Sequence, residues 1–311
     1  MLLTRVEFAA FFHIGYHWRL TRISIAPPDF HRDSPDAARQ AARQAATVFP
    51  YTISFIVPAL NEEKVVETVI EQLLDQVRGW FADFELILVD DGSTDATGTI
   101  MDRLAQRYER VRVIHNGANL GFGASFQAGL KQARFDYVML LCGDGGLPAK
   151  SLPPIFEKIG SADIVVPWMV NLRQIKTPLR YFLSRAYTML LNSLSGLKLK
   201  YYNGLPVHRR ENLEKIAITS GGFGFQAEVL VKLIRSGSSF VEVGVHGAEK
   251  TNRSSALRMR NWISVARTFH HLVREIRGSP RPSRAPGAAD ASGATVNGLS
   301  PRNEAGAERP E

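Results

Sequence analysis

The sequence of 311 residues contains only one cysteine, Cys142, and no long apolar run. A single cysteine excludes a disulfide within the chain and favours a reducing compartment. No stretch reaches the ~18–20 consecutive apolar residues of a membrane-spanning helix. Residues 2–20 are apolar but contain charged and histidine side chains, and they lack the basic start and the cleavage site of a signal peptide. We therefore expect these residues to form an extension outside the fold.

Acidic residues are absent between positions 164 and 210. The same stretch contains the basic residues Arg173, Lys176, Arg180, Arg185, Lys198, Lys200, Arg209 and Arg210. Together with a formal net charge of +8, this favours anionic partners such as nucleic acid, nucleotides or acidic lipid surfaces. No nucleic-acid-binding motif accompanies the charge, so we predict no nucleic-acid partner.

Two basic segments have helical apolar spacing. One contains Leu179, Phe182, Leu183, Ala186, Met189 and Leu190, and the other spans residues 256–276. Such helices either pack on the core with solvated arginine faces or lie on an anionic lipid surface. Both interpretations are open at this point.

Apolar strand-like runs alternate with helical patterns between residues 51 and 277. We predict strands at 53–57, 86–89, 111–114, 138–141 and 164–166, and helices at 62–77, 94–108, 124–133 and 153–159, with Ser93 or Thr94 capping the second helix. This alternation predicts an α/β fold with a mainly parallel sheet and helices on both faces. Residues 1–50 are predicted to be an extension and linker. Residues 278–311 are predicted to be a disordered tail, because this segment contains few large apolar side chains.

Two of the predicted strands run directly into acidic residues. Residues 87–95 read ILVDDGSTD, and residues 137–146 read YVMLLCGDGG. Each cluster alone could be a tight turn with a helix cap, since Asp, Gly and Ser favour turns. Together they would meet at the carboxyl edge of a parallel sheet, where ligands bind. Such an edge suits a nucleoside diphosphate with a divalent cation.

Four segments in this order resemble the family 2 glycosyltransferases of GT-A fold. They are residues 57–62 (VPALNE), 89–95 (VDDGSTD), 119–123 (NLGFG) and 143–145 (GDG). The chain is most similar to the dolichol-phosphate mannosyltransferase-like branch, which glycosylates polyprenyl phosphates. The resemblance covers about residues 51–275 and is strongest over 51–148.

The resemblance implies a role for each matching residue. The nucleotide-sugar site would be formed by Pro58, Leu60, Asn61, Glu62, Asp90, Asp91, Gly121, Gly143 and Asp144. Asp144 would hold Mg²⁺ or Mn²⁺ on the diphosphate and act in catalysis. Candidates for binding the lipid phosphate are Arg209, Arg210, Lys250 and Arg253. The implied partners are a nucleotide-sugar donor, a polyprenyl phosphate acceptor, an anionic membrane surface on its cytoplasmic face and a possible membrane protein.

The chain departs from the family pattern at three positions. Cys142 stands where the first acid of the Asp-x-Asp motif is usual, Asn203 replaces a common Asp, and Pro206 replaces a common Arg. A thiol is a poor Mg²⁺ ligand. Two other functions therefore stay open, namely transfer to a hydroxyl acceptor, which needs a base, and a non-catalytic nucleotide-binding scaffold.

Overall fold

Seven strands form one sheet in the order β3-β2-β1-β4-β6-β5-β7. The computed structural model describes residues 49–222 and 224–248. The strands are β1 (Phe49–Ala59), β2 (Phe81–Asp90), β3 (Val111–His115), β4 (Tyr137–Leu140), β5 (Ile164–Met169), β6 (Val207–Arg209) and β7 (Phe240–Val245). All neighbouring strands pair in parallel except β6, which is antiparallel to both β4 and β5. The predicted mainly parallel α/β sheet is confirmed.

Helices cover both faces of the sheet. They are α1 (Val66–Val77), α2 (Thr97–Arg107), α3 (Phe122–Leu130), α4 (Pro153–Phe156), α5 (Leu172–Ile175), α6 (Pro178–Ser195), α7 (Arg210–Glu214) and α8 (Phe225–Arg235), with a 3₁₀ turn at Ala149–Ser151. Adjacent residues of a strand point to opposite faces. Phe55 packs against Phe156 of α4, whereas the next residue, Ile56, lies against Gly129 of α3.

The sequence misplaced three helix starts. The helix predicted at 124–133 begins two residues earlier, at Phe122. The helix predicted from residue 62 begins at Val66, and the helix predicted from residue 94 begins at Thr97. Its cap position is Ala96, with no side-chain capping bond, so the prediction of Ser93 or Thr94 as N-cap is wrong. Those polar residues instead hydrogen-bond to the loop after β1. Strand β6 was not predicted, because three residues show too little alternation to be recognised.

Glu85 of β2 is a charged residue inside the core, with its side chain 1% exposed. It accepts hydrogen bonds from Ser54 Oγ (2.7 Å), Arg112 Nη2 (2.6 Å) and both the backbone N and Nε of Arg134 (2.9 and 3.1 Å). Burial alone would raise the pKa of Glu85, but these bonds outweigh it and hold the pKa below its usual value. The carboxylate thus joins β1, β2, β3 and the turn before β4.

The described residues include no helix that combines the length and apolarity needed to cross a bilayer. Phe49 and Pro50, predicted to belong to the linker, are the first residues of β1. The rest of the predicted extension, the predicted tail and the predicted helix at 256–276 lie outside the described residues.

Candidate active site

The loops that leave the carboxyl ends of β1 and β2 are held together by side-chain hydrogen bonds. Asn61 Oδ1 accepts from the backbone N of Thr94 (2.8 Å), and the backbone N of Asn61 donates to Ser93 Oγ (3.0 Å). Asn61 has a φ of 56°, a left-handed conformation that asparagine tolerates better than most residues. The backbone N of Glu62 donates to Thr97 Oγ1 (2.8 Å). These bonds place the predicted residues 58–62 directly beside the acidic loop.

Asp91 holds the loop that follows β3. Its buried carboxylate accepts hydrogen bonds from Asn116 Nδ2, Leu120 N and Gly121 N, each at 3.0 Å. Gly92 has a φ of +76°, and a Cβ there would lie 2.5 Å from the backbone of Ala118. Only glycine fits at that position. The predicted residues Asp91 and Gly121 are therefore in direct contact, and Asp91 shapes the wall of the site.

Asp90 is linked to His115, a residue that the sequence analysis did not single out. His115 Nδ1 lies 3.1 Å from Asp90 Oδ2, and its Nε2 lies 2.9 Å from Asp102 Oδ1. The bonds to Asp102 and then to Asp90 raise the pKa of His115 above its usual value. Burial would raise the pKa of Asp90, but bonds from Ser93 and His115 lower it overall. The contact with His115 therefore helps to orient the Asp90 carboxylate.

Asp144 is exposed in the loop that leaves β4. Its Oδ1 accepts a hydrogen bond from the backbone N of Gly146 (2.9 Å), which fixes the orientation of the carboxylate. Gly143 N donates to the carbonyl of Pro58 (3.1 Å), and a Cβ on Gly143 would come within 2.7 Å of Ala59 Cβ. This close approach brings Gly143, Asp144 and Pro58 together at one edge, where half-buried Leu60 also lies.

The carboxylates at this edge suit a metal ion that binds together with a nucleotide. Within residues 49–222 and 224–248, no cluster of three His, Cys, Asp or Glu side chains could hold a metal by itself. Asp90 and Asp91 are buried and hydrogen-bonded, which leaves Asp144 as the exposed carboxylate of this group. Mg²⁺ commonly uses one or two carboxylates and completes its shell with phosphate oxygens and water. Asp144 meets that requirement, whereas the soft thiol of Cys142 does not.

Arg209 and Arg210 lie at the opposite edge of the sheet from Asp144. Arg209 pairs with Tyr137, the first residue of β4, and its Nε lies 3.3 Å from Asp163. Arg210 Nε donates to the carbonyl of Phe135 (3.0 Å). At about 3.3 Å per residue, the length of β4 and the following turn separates them from Asp144 by roughly 15–20 Å. Antiparallel β6 thus places both arginines away from Asp144, and their binding of the lipid phosphate stays a prediction.

Lys250 and Arg253, the other two candidates for the lipid phosphate, lie outside the described residues. Residues 246–248, which precede them, do reach the site edge. The backbone N of Ala248 donates to the carbonyl of Gly146 (3.3 Å), next to Asp144.

Lys176 lies between α5 and α6 and forms a cluster with Ser184 and Tyr201. Its Nζ donates to Ser184 Oγ (3.1 Å) and Tyr201 Oη (3.2 Å), and it lies 5.2 Å from the centre of the Tyr201 ring. Burial, followed by repulsion from Arg180, lowers the pKa of Lys176 to about 8. Burial raises the pKa of Tyr201 to about 12, and Cys142 contributes electrostatically to this increase.

No salt bridge joins Lys176 to a carboxylate in the described part of the chain. The feature of the sequence that pointed to a basic cluster here was the absence of acidic residues between 164 and 210. That Lys176 in particular is partly buried and bonds to Tyr201 could not be read from it. The cluster is suited to holding an anion at the site edge.

A comparison of the sequence with family profiles matches residues 54–226 to "Glycosyl transferase family 2". Among characterised proteins, the chain is similar to an undecaprenyl-phosphate mannosyltransferase of Micrococcus luteus, with 27% identity over 63% of this chain and 83% of the relative. It is also similar to a dolichyl-phosphate beta-glucosyltransferase of Trichomonas vaginalis, with 25% identity over 71% of this chain and 74% of the relative.

Among solved structures, the fold is similar to glucosyl-3-phosphoglycerate synthase from Mycobacterium tuberculosis. The complex with uridine diphosphate has a TM-score of 0.57 at 20% identity, covering 81% of this chain and 87% of that one. A second complex of that enzyme, with Mn²⁺, UDP-glucose and phosphoglyceric acid, has a TM-score of 0.55. At this identity the likeness establishes the GT-A fold alone.

Proposed function

Since the chain belongs to glycosyl transferase family 2, we propose that it moves a sugar from a nucleotide-diphospho-sugar to the phosphate of a polyprenyl lipid. Two observations carry this proposal: the orientation of the Asp144 carboxylate after β4, and the Lys176 cluster in the connection that leaves β5, a strand running in the same direction as β4. The named relatives act on undecaprenyl and dolichyl phosphates, which supports the same class of acceptor.

The donor would bind along the loops after β1, β2 and β4. Asp91 and Asn61 keep these loops in place, and Asp90 with Glu62 lies on the side proposed for the nucleoside. Asp144 would hold Mg²⁺ or Mn²⁺, a proposal supported by the Mn²⁺ complex of the structural neighbour. When bound, such an ion neutralises charge on the departing diphosphate.

The acceptor chemistry requires little from the protein beyond positioning. A phosphate monoester is ionised near neutral pH, so its oxygen can attack the anomeric carbon as the bond to the diphosphate oxygen breaks. A single displacement of this kind inverts the anomeric centre. We assign to Lys176, held in place by Ser184 and Tyr201, the role of binding the phosphate of the acceptor. Its charge and its position would lower the activation barrier of sugar transfer. The reaction would take place at the cytoplasmic face of a membrane, and the predicted membrane-protein partner stays a prediction.

The proposal is tested by incubating the purified chain with a panel of labelled nucleotide sugars, Mn²⁺ and a short polyprenyl phosphate. We expect a labelled lipid whose sugar–phosphate bond is cleaved by mild acid. The control acceptor is the matching polyprenol, which has a hydroxyl in place of the phosphate. Transfer to the alcohol or to a sugar hydroxyl alone would favour the hydroxyl-acceptor alternative, and metal-linked nucleotide binding without transfer to any acceptor would favour a scaffold.

Replacing Lys176 with methionine removes the cation but keeps a similar side-chain volume. We expect the KM for the lipid phosphate to rise at least ~tenfold, the effect of losing one charge-assisted contact. Because the pKa of Lys176 is lowered to about 8, the cation is present below this pH and lost above it. The affinity of the parent protein for the acceptor should therefore weaken as pH rises through about 8, whereas the variant should show no such step.

The matched control is Lys131→Met, at an exposed lysine that follows α3 away from the site. It should leave both the KM and the pH profile unchanged. A pH step that persists in the Lys176→Met variant would contradict the assignment of Lys176.

A further inference from the structure

A short segment after β7, residues 246–248, reaches the loop that carries Asp144. We call this segment the β7 strap. It leaves β7, which pairs in parallel with β5. At the far end of the strap, the backbone N of Ala248 donates to the carbonyl of Gly146 (3.3 Å), and the backbone N of Gly146 donates to Asp144 Oδ1 (2.9 Å). The strap therefore ends one hydrogen-bonded residue away from the candidate metal ligand.

Asn171, the residue that precedes α5, holds the middle of the strap with both polar atoms of its side chain. Its Oδ1 accepts from the backbone N of Gly247 (2.9 Å), and its Nδ2 donates to the carbonyl of the same residue (2.9 Å). A further anchor lies one residue earlier, where Ser151 Oγ donates to the carbonyl of His246 (2.8 Å). Three consecutive residues of the strap are thus bonded to three different parts of the fold.

The strap also packs closely against α5. A Cβ on Gly247 would lie 2.8 Å from Ile175 Cδ1 and 3.1 Å from Met169 Sδ, so a larger residue fits here only if these groups move. Ile175 is the last residue of α5, and its backbone N donates to the carbonyl of Asn171 (3.2 Å). Lys176 is the next residue along the chain. The position of Lys176 is therefore tied, through α5, to the contacts that hold the strap.

These contacts form one path between two groups that have separate roles in the proposed reaction. The path runs from the Asp144 loop through the strap to Asn171, and from there through α5 to Lys176. Asp144 is assigned to the departing diphosphate and Lys176 to the phosphate of the acceptor. Transfer requires reacting atoms about 3–3.5 Å apart, and a misplacement of about 1 Å can lower the rate ~10²-fold. An element that fixes the spacing between the two groups would therefore act on the rate of transfer.

We propose that Asn171 is a positioning residue, which uses the β7 strap to fix the spacing between the Asp144 loop and the Lys176 cluster. The inference rests on the proposed function, because the roles of Asp144 and Lys176 are taken from it. Asn171 itself contacts neither substrate. Its side chain suits this task because a carboxamide can donate and accept at the same time, whereas a carboxylate can only accept.

The test replaces Asn171 with alanine, which removes both bonds to Gly247. We expect kcat for transfer from the nucleotide sugar to a polyprenyl phosphate to fall at least ~tenfold. The affinity for a nucleoside diphosphate with Mn²⁺, measured by calorimetry, should stay as in the parent, because the loops after β1 and β2 keep their own hydrogen bonds. Ser151→Ala, which removes the bond to His246, should lower kcat by a smaller factor.

Hydrolysis of the donor separates positioning from a purely structural role. In hydrolysis, water attacks the anomeric carbon as the bond to the diphosphate breaks, which releases free sugar, nucleoside diphosphate and a proton. This reaction requires no positioned acceptor, so the ratio of hydrolysis to transfer should rise in Asn171→Ala. A general loss of structure would lower hydrolysis and transfer together.

Asn192→Ala is the matched control, because Asn192 of α6 makes the same two-way contact with the backbone of Leu199. It should lower the melting temperature at least as much, since Tyr202 Oη also loses a partner, but it should leave kcat and the hydrolysis ratio unchanged. An active parent whose kcat survives in Asn171→Ala, or a control that loses kcat equally, would overturn the inference. So would hydrolysis that falls in proportion to transfer. A parent that transfers sugar to no acceptor would instead refute the proposed function.

Discussion

Replacing Asp144 with asparagine is expected to lower kcat/KM for sugar transfer by a factor of roughly 10²–10³. Asparagine keeps the size of the side chain and the hydrogen bond that Oδ1 accepts from Gly146 N. It removes the negative charge that the proposed metal ion requires. Because no second carboxylate replaces the first acid of the Asp-x-Asp motif at Cys142, the loss should not be compensated.

The measurement combines transfer kinetics with calorimetry of nucleoside diphosphate binding, with and without Mn²⁺. The parent should bind more tightly with Mn²⁺, and Asp144→Asn should lose that difference. Asp75→Asn is the control, since Asp75 is an exposed acid near the end of α1 that pairs with Arg78 at 3.6 Å. Full metal-linked binding in Asp144→Asn would show that the ion is held elsewhere.

Replacing Glu85 with alanine is expected to lower the free energy of unfolding by about 3 kcal/mol, the low end of the cost of breaking a buried ion pair. The low end applies because both arginine partners are partly exposed and can be hydrated after the change. Ser54 and the backbone N of Arg134 would also lose their acceptor. The loss is a large part of the ~5–15 kcal/mol that stabilises a typical domain.

Urea unfolding of the full chain measures this effect, with Glu71→Ala as the control. Glu71 also bonds to an arginine, Arg107, but its side chain is 38% exposed instead of 1%. Exposed pairs contribute about 0–1 kcal/mol, so the control should unfold close to the parent. Equal losses in the two variants would show that burial does not determine the contribution of Glu85.

The sequence predicted most strands of the sheet because each carries a continuous apolar run, as buried parallel strands do. It also predicted that Asp90, Asp91 and Asp144 follow strands at one edge of the sheet, since all three come directly after such runs. It predicted the helix starts less well. Ser93 and Thr94 have the composition of a helix cap, yet Ser93 Oγ and Thr94 N bond to Asn61. Asp95 divides its carboxylate between the backbone N of Glu63 and Thr97 at the start of α2. Competition between local and distant partners for the same polar atoms cannot be read from spacing.

The sequence by itself thus determined the fold class, the family and the edge of the sheet at which its acids meet, because these follow from local periodicity and from motif order. Tertiary structure alone decided where the basic residues lie. One short antiparallel strand places Arg209 and Arg210 at the opposite edge, and Lys176 turns inward to bond with Tyr201. It also decided that Leu179, Phe182, Met189 and Leu190 of α6 are exposed, whereas Leu191 is buried. The direction of a strand and the rotation of a helix depend on contacts with distant residues, and local sequence does not specify them.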